Sequence, residues 1–133
     1  MKPSKLPPPT EHESQVAVID WWAYECKKHR LPEFALFCVP NAGAGSQRGQ
    51  AGKMKAEGVR RGIPDLCLAV PSNDGVTYNP GIFHGLFIEM KRKGGKLSPE
   101  QREVHEYLQS AGYQVRTCYS THEAITAITE YLA

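Results

Sequence analysis

The chain has 133 residues, which suits one compact domain and is too short for two of ordinary size. Apolar residues make up 41% of it, enough for a core, and no apolar run has the length of a membrane span. With 16 Lys and Arg against 14 Asp and Glu the formal charge is only +2, so the net value decides little and its distribution says more.

Residues 1–9 carry four prolines, two lysines and almost nothing that can pack, and they read as a flexible arm ahead of a single domain over 10–133. No apolar run of signal-peptide length follows the arm, so a cytoplasmic protein is expected. The four cysteines, at 26, 38, 67 and 118, are far apart in sequence and sit among apolar neighbours. That pattern suits neither a zinc site nor a disulfide scaffold, and it predicts buried, reduced thiols.

Thr10 with Glu13 has the form of a capping box. Val16, Ile19, Trp22, Ala23 and Cys26 then recur at helical spacing and predict an apolar stripe as far as about Lys28. Trp21 is expected at the surface. The continuous apolar run 34–39, bounded by Pro32 and Pro40, predicts a buried strand. Residues 41–58 are rich in glycine and basic side chains and read as a loop with one or two helical turns around 52–57. A phosphate-loop reading fails there, because Gly52-Lys53 is followed by Met54 and position 47 is Gln.

Residues 65–70 and 86–91 are short apolar runs that can pair as a hairpin with a long connection. Ser98, Pro99 and Gln101 open a helix as N-cap, first helical residue and capping-box partner, with Val104, Tyr107, Leu108 and Ala111 as its apolar stripe and Gly112 at its end. Residues 114–119 alternate as a strand. Ser120 and Glu123 cap a last helix that points Ala124, Ile125, Ile128 and Leu132 inward. The expected class is α/β, in the order helix, three strands, helix, strand, helix, with a mixed sheet covered by helices. A parallel closing pair of strands requires a right-handed crossover.

On a strand over 86–91, Phe87, Glu89 and Lys91 share one face and Leu86, Ile88 and Met90 the other. Glu89 and Lys91 therefore project side by side, a carboxylate and an ammonium able to hold a metal and a charged oxygen next to each other. Asp65, at the start of the preceding strand, is the second carboxylate, since magnesium is usually held by one or two carboxylates plus phosphate and water. Such an ion binds a phosphate oxygen and lowers the pKa of a bound water, while Lys91 orients that water or offsets the charge of the transition state. Glu-x-Lys on a strand and Pro-Asp before one are each common in structural roles. Their order, separated by a hairpin and flanked by basic stretches, is what singles them out. Five basic residues (Arg48, Lys53, Lys55, Arg60, Arg61) lie between positions 48 and 61, and four (Lys91, Arg92, Lys93, Lys96) between 91 and 96. Two such runs beside an acidic site suggest a polyanionic partner.

Pro64-Asp65 followed by Glu89-Met90-Lys91 resembles the PD-(D/E)XK nuclease signature. The longer match is to its VRR-NUC branch, through Glu57-Gly58-Val59-Arg60-Arg61-Gly62-Ile63-Pro64-Asp65-Leu66, Phe87-Ile88-Glu89-Met90-Lys91 and Leu97-Ser98-Pro99-Glu100-Gln101-Arg102. The resemblance implies a restriction-endonuclease-like core and a divalent metal, Mg2+ or Mn2+, bound by Asp65, Glu89 and the backbone carbonyl of Met90. It implies that Lys91 is the catalytic lysine, that Gln101 points into the site, and that Glu13, ahead of Glu11, is the acid supplied by the first helix. Both Glu13 and Gln101 also have a sufficient structural role as capping partners. The family association implies an endonuclease on branched DNA such as four-way junctions, acting as a homodimer. Two alternatives stand beside it: a restriction-like or end-processing nuclease without junction preference, and a non-catalytic module whose basic loops bind DNA.

Overall fold

The computed structural model describes residues 6–40, 50–72 and 82–133. The order is α1 (Glu11–Lys28), a 3-10 turn (Glu33–Ala35), β1 (Leu36–Cys38), α2 (Gln50–Ala56), β2 (Leu66–Leu68), β3 (Leu86–Met90), α3 (Pro99–Ser110), β4 (Gln114–Cys118) and α4 (Thr121–Leu132). The strands form one sheet in the order β1-β2-β3-β4. β2 runs antiparallel to both β1 and β3, and β3 and β4 are parallel across the α3 crossover. This is the mixed α/β architecture expected from the sequence. No helix among the described residues is long and apolar enough to cross a membrane.

The helix starts follow from local chemistry. The Thr10 side chain accepts the Glu13 amide and Glu13 reaches back to the Thr10 amide, and Ser98 and Gln101 do the same for α3. Each such cap contributes about 1 kcal/mol. At α4, Ser120 accepts the Glu123 amide, but the Glu123 carboxylate takes the amide of Tyr119, one residue outside the expected reciprocal bond. Leu6 to Thr10 are exposed and without regular structure.

The core lies between the sheet and the α1 and α4 helices, which pack on each other. Leu86, Ile88 and Met90 of β3 are almost wholly buried, with Leu66 and Leu68 of β2 beside them. Full burial of one such side chain is worth roughly 1.5–3 kcal/mol, so this row anchors the sheet. Tyr131 of α4 closes one end by donating its hydroxyl to the Val70 carbonyl at 2.6 Å.

Several expectations need correction. The buried stripe of α1 is Ser14, Val18, Trp22 and Cys26, a strict four-residue spacing, and Val16 is exposed. Trp22 belongs to both the expected and the observed stripe, and its indole donates to the Glu33 carbonyl at 2.9 Å. Trp21 is half-buried against the core and not at the open surface. The run 34–39 is no buried strand: it starts as the 3-10 turn and continues as the sheet edge, with Leu36 buried but Phe34 and Phe37 exposed. An edge strand has one neighbour and one open side, which an apolar run alone does not reveal. Cys26 and Cys118 are buried as expected, Cys67 half-buried and Cys38 exposed, all four as free thiols. On α3 it is His105 that is buried, while Tyr107 stands out in solvent. On α4 the buried set is Ala124, Ala127, Ile128 and Tyr131.

Candidate active site

Antiparallel pairing of β2 and β3 sets Leu66 opposite Ile88. One step further along the same register, Asp65 stands opposite Glu89. The Asp65 carboxylate accepts the Met90 amide at 2.7 Å, which fixes its orientation against the end of β3. Glu89 is 2% exposed and lies on the face opposite the core row of Leu86, Ile88 and Met90, as strand alternation requires. Lys91 follows directly, its amide bonded to the Cys118 carbonyl at the end of β4 and its side chain half-buried. The three residues singled out in the sequence are thus brought to one end of the β2–β3 pair.

The site is electrostatically tense. Burial pushes the Glu89 carboxyl well above the ordinary carboxylate range, and neighbouring Asp65 adds to the rise, by hydrogen bonding and by its charge. Lys91 acts in the opposite direction and Glu11 raises it a little further. Glu89 Oε1 is buried and has no hydrogen-bond partner among the described residues. Two carboxylates in this proximity, one of them with an unpartnered oxygen, fit a cation between them. Among the described residues no three His, Cys, Asp or Glu side chains form a ready cation cage. Asp65 and Glu89 therefore suit a hard ion that takes the rest of its shell from backbone oxygen, water or phosphate, as Mg2+ does.

The first helix presents Glu11, not Glu13. Glu11 accepts the Arg92 amide at 3.2 Å, just beyond β3. Glu13 stays exposed at the helix start, with its carboxylate 3.4 Å from the Thr10 amide. The two residues are separated by about 200° around the helix, and position 11 continues the Ser14–Val18–Trp22 stripe toward the sheet. Gln101 uses its carboxamide oxygen on the Ser98 amide at 2.9 Å, the structural role anticipated for it.

Sequence reasoning missed His105. Its Nε2 lies 3.4 Å from Glu89 Oε1, and its side chain is 8% exposed. Position 105 is four residues after Gln101 and so on the same helix face, a signal that was available. Burial lowers the pKa of this imidazole, and the charge of Lys91 lowers it further.

The motif segments are also clamped together. Gly62, in the loop before Asp65, has φ +86°, and a Cβ there would lie 2.7 Å from the Glu100 carbonyl oxygen and 3.1 Å from the Gln101 amide. Only glycine allows both the backbone conformation and the approach to the start of α3.

Of the expected phosphate contacts, Lys53, Lys55, Arg60, Arg61, Arg92, Lys93 and Lys96 are all exposed, and Arg48 lies outside the described residues. None of these exposed cations takes part in a salt bridge among the described residues.

The VRR-NUC domain model matches residues 10–122, most of the chain. The chain belongs to the VRR-NUC domain family. A solved structure described as a VRR_NUC domain protein is 28% identical, superposes with a TM-score of 0.73, and is covered over 89% of its length by 94% of this chain. No curated protein matches the chain. As a VRR-NUC domain the chain is of a nuclease family, with DNA as the substrate class. Its two motif carboxylates and motif lysine meet at the end of the central hairpin.

Proposed function

We propose that this VRR-NUC domain is a divalent-metal-dependent endonuclease that hydrolyses DNA phosphodiester bonds and prefers branched DNA such as four-way junctions. The observation that carries the reading is Asp65 opposite buried Glu89 with Lys91 beside them. Asp65 and Glu89, with the Met90 carbonyl, would hold Mg2+ or Mn2+. The bound ion supplies Lewis acidity toward a phosphate oxygen and makes water a stronger acid. Lys91 orients the attacking water and offsets charge that develops on the phosphate. Glu11 takes the place first given to Glu13, and Gln101 lines the site from α3. The exposed basic residues hold flanking phosphates, which positions DNA without reading its sequence.

The branched-DNA preference follows from the family resemblance. A homodimer accompanies it, since paired nicks across a junction call for two symmetry-related sites. Exposed Val16, Phe34 and Phe37 beside the edge strand supply an apolar face for such a contact. Sedimentation equilibrium checks it against the 14.8 kDa of one chain.

The test of function is a nicking assay on a labelled four-way junction and a matched linear duplex, with Mg2+, Mn2+ or EDTA, beside the Lys91→Ala variant. Metal-dependent cleavage of the junction, lost in the variant, is expected. Equal cleavage of both DNAs removes the junction preference and keeps the nuclease. Binding without cleavage under every condition overturns the enzymatic reading.

A further inference from the structure

One pair of atoms in the site is unexplained by the carboxylates and lysine alone. Glu89 Oε1 and His105 Nε2 face each other at 3.4 Å, both buried and neither hydrogen-bonded among the described residues. Two unpartnered polar atoms inside a protein are costly to keep, and here each is the other's nearest remedy. The distance is just longer than a good hydrogen bond, so a small rotation of either side chain closes it. His105 is held for this contact by α3, whose start is fixed by the Ser98–Gln101 capping box and by the close approach of Gly62.

We infer that His105 is a positioning residue, whose Nε2–H donates to Glu89 Oε1 and leaves the second carboxylate oxygen to face Asp65 and the cation. The inference rests on the metal-dependent reading above. Ligating carboxylates need such an outer partner, because a carboxylate free to rotate divides its time between useful and useless orientations. The contact requires only a proton on Nε2. The alternative is a core histidine that only fills space beneath α3, and the two roles separate by experiment.

The test is Mg2+ binding, followed by calorimetry and by the Mg2+-induced rise in melting temperature, on wild type, His105→Leu and His105→Gln. Leucine keeps the apolar bulk without the donor, and glutamine can return an N–H toward Oε1. Loss of a partner of this kind typically weakens metal affinity by about ten- to a hundredfold. That loss is expected for His105→Leu, with recovery of most of it in His105→Gln. The Mg2+ concentration giving half-maximal nicking should move in parallel, while the rate at saturating Mg2+ changes much less. If the leucine variant does not fold, His105→Asn replaces it, since asparagine stays polar but is too short to reach. A space-filling role predicts lower melting temperatures with unchanged Mg2+ affinity, and that result overturns the inference alone. Wild-type protein that binds neither Mg2+ nor Mn2+ overturns the metal-dependent reading and this inference together.

Discussion

The Asp65 carboxylate accepts the backbone amide of Met90 at 2.7 Å, a bond between residues 25 apart in sequence. Asp65 therefore has two duties, as an acceptor that ends the β2–β3 ladder and as one wall of the acidic site. Substitutions separate them. Asp65→Ala removes both: the orphaned amide should cost about 1–3 kcal/mol in denaturant unfolding, and nicking should fall by about a hundredfold or more. Asp65→Asn keeps an acceptor for Met90 and should retain most of the stability while still losing activity. Equal destabilisation by both changes would show that charge at position 65, and not its hydrogen bond, holds the strand end.

Glu89 predicts how the metal-free protein responds to pH. Its carboxyl is held above the ordinary range, first by burial and then by Asp65. A pKa raised in the folded state means that this contribution is fully present below the unfolded value, about 4.3. It is lost as pH rises through the folded value. In EDTA, wild type should melt lower at pH 8 than at pH 6.5, by on the order of 5 °C. Glu89→Gln should flatten that slope, and Mg2+ should restore wild-type stability but leave the variant unmoved. The window stays at or above pH 6.5 because His105, with a lowered pKa, contributes the opposite slope below it.

Gly62→Ala should destabilise by about 2 kcal/mol or more, because it combines an unfavourable positive φ with overpacking against backbone. Gly94 is the control: its φ is +83°, but a Cβ there meets nothing within 4 Å. Gly94→Ala should cost only the conformational share, about 1 kcal/mol. Thermal or denaturant melts of the two variants compare them directly. If they match, the approach to α3 contributes nothing.

Arg60 and Arg61 precede Asp65 in the motif loop, and both are exposed. If they bind phosphates, DNA affinity should fall steeply with salt, and each Arg→Ala change should reduce the slope of log K against log salt by about one. Binding insensitive to salt would argue that DNA is held by other means.

The caps of α1 and α3 and the Asp65–Glu89–Lys91 group were legible because each depends on local spacing or on the two-residue repeat of a strand. The rotation of α1 was not legible. Trp22 and Cys26 belong to both the expected and the observed stripe, and spacing alone did not say whether Val16 and Ile19 or Ser14 and Val18 complete it; Ser14 and Val18 are the buried pair. The preference for Glu13 over Glu11 was undone by that same rotation. His105 left one signal, its four-residue spacing from Gln101 on the same helix face, because a lone histidine among apolar and charged neighbours adds none of its own. The exposure of Phe37 depends on the order of strands in the sheet, which no short segment encodes.

The hairpin geometry bears on how this chain can lengthen. Asp65 enters β2 and Glu89 lies near the exit of β3, whereas the chain between the strands leaves from the far end, past the Leu68–Leu86 pair. The spacing of the two carboxylates is set by register alone and is indifferent to the number of residues in that connection. Doubling a loop costs only about 0.6 kcal/mol in closure entropy. The β2–β3 connection is accordingly where this scaffold can accept a grafted peptide, a reporter or a second recognition module while the acidic pair keeps its place.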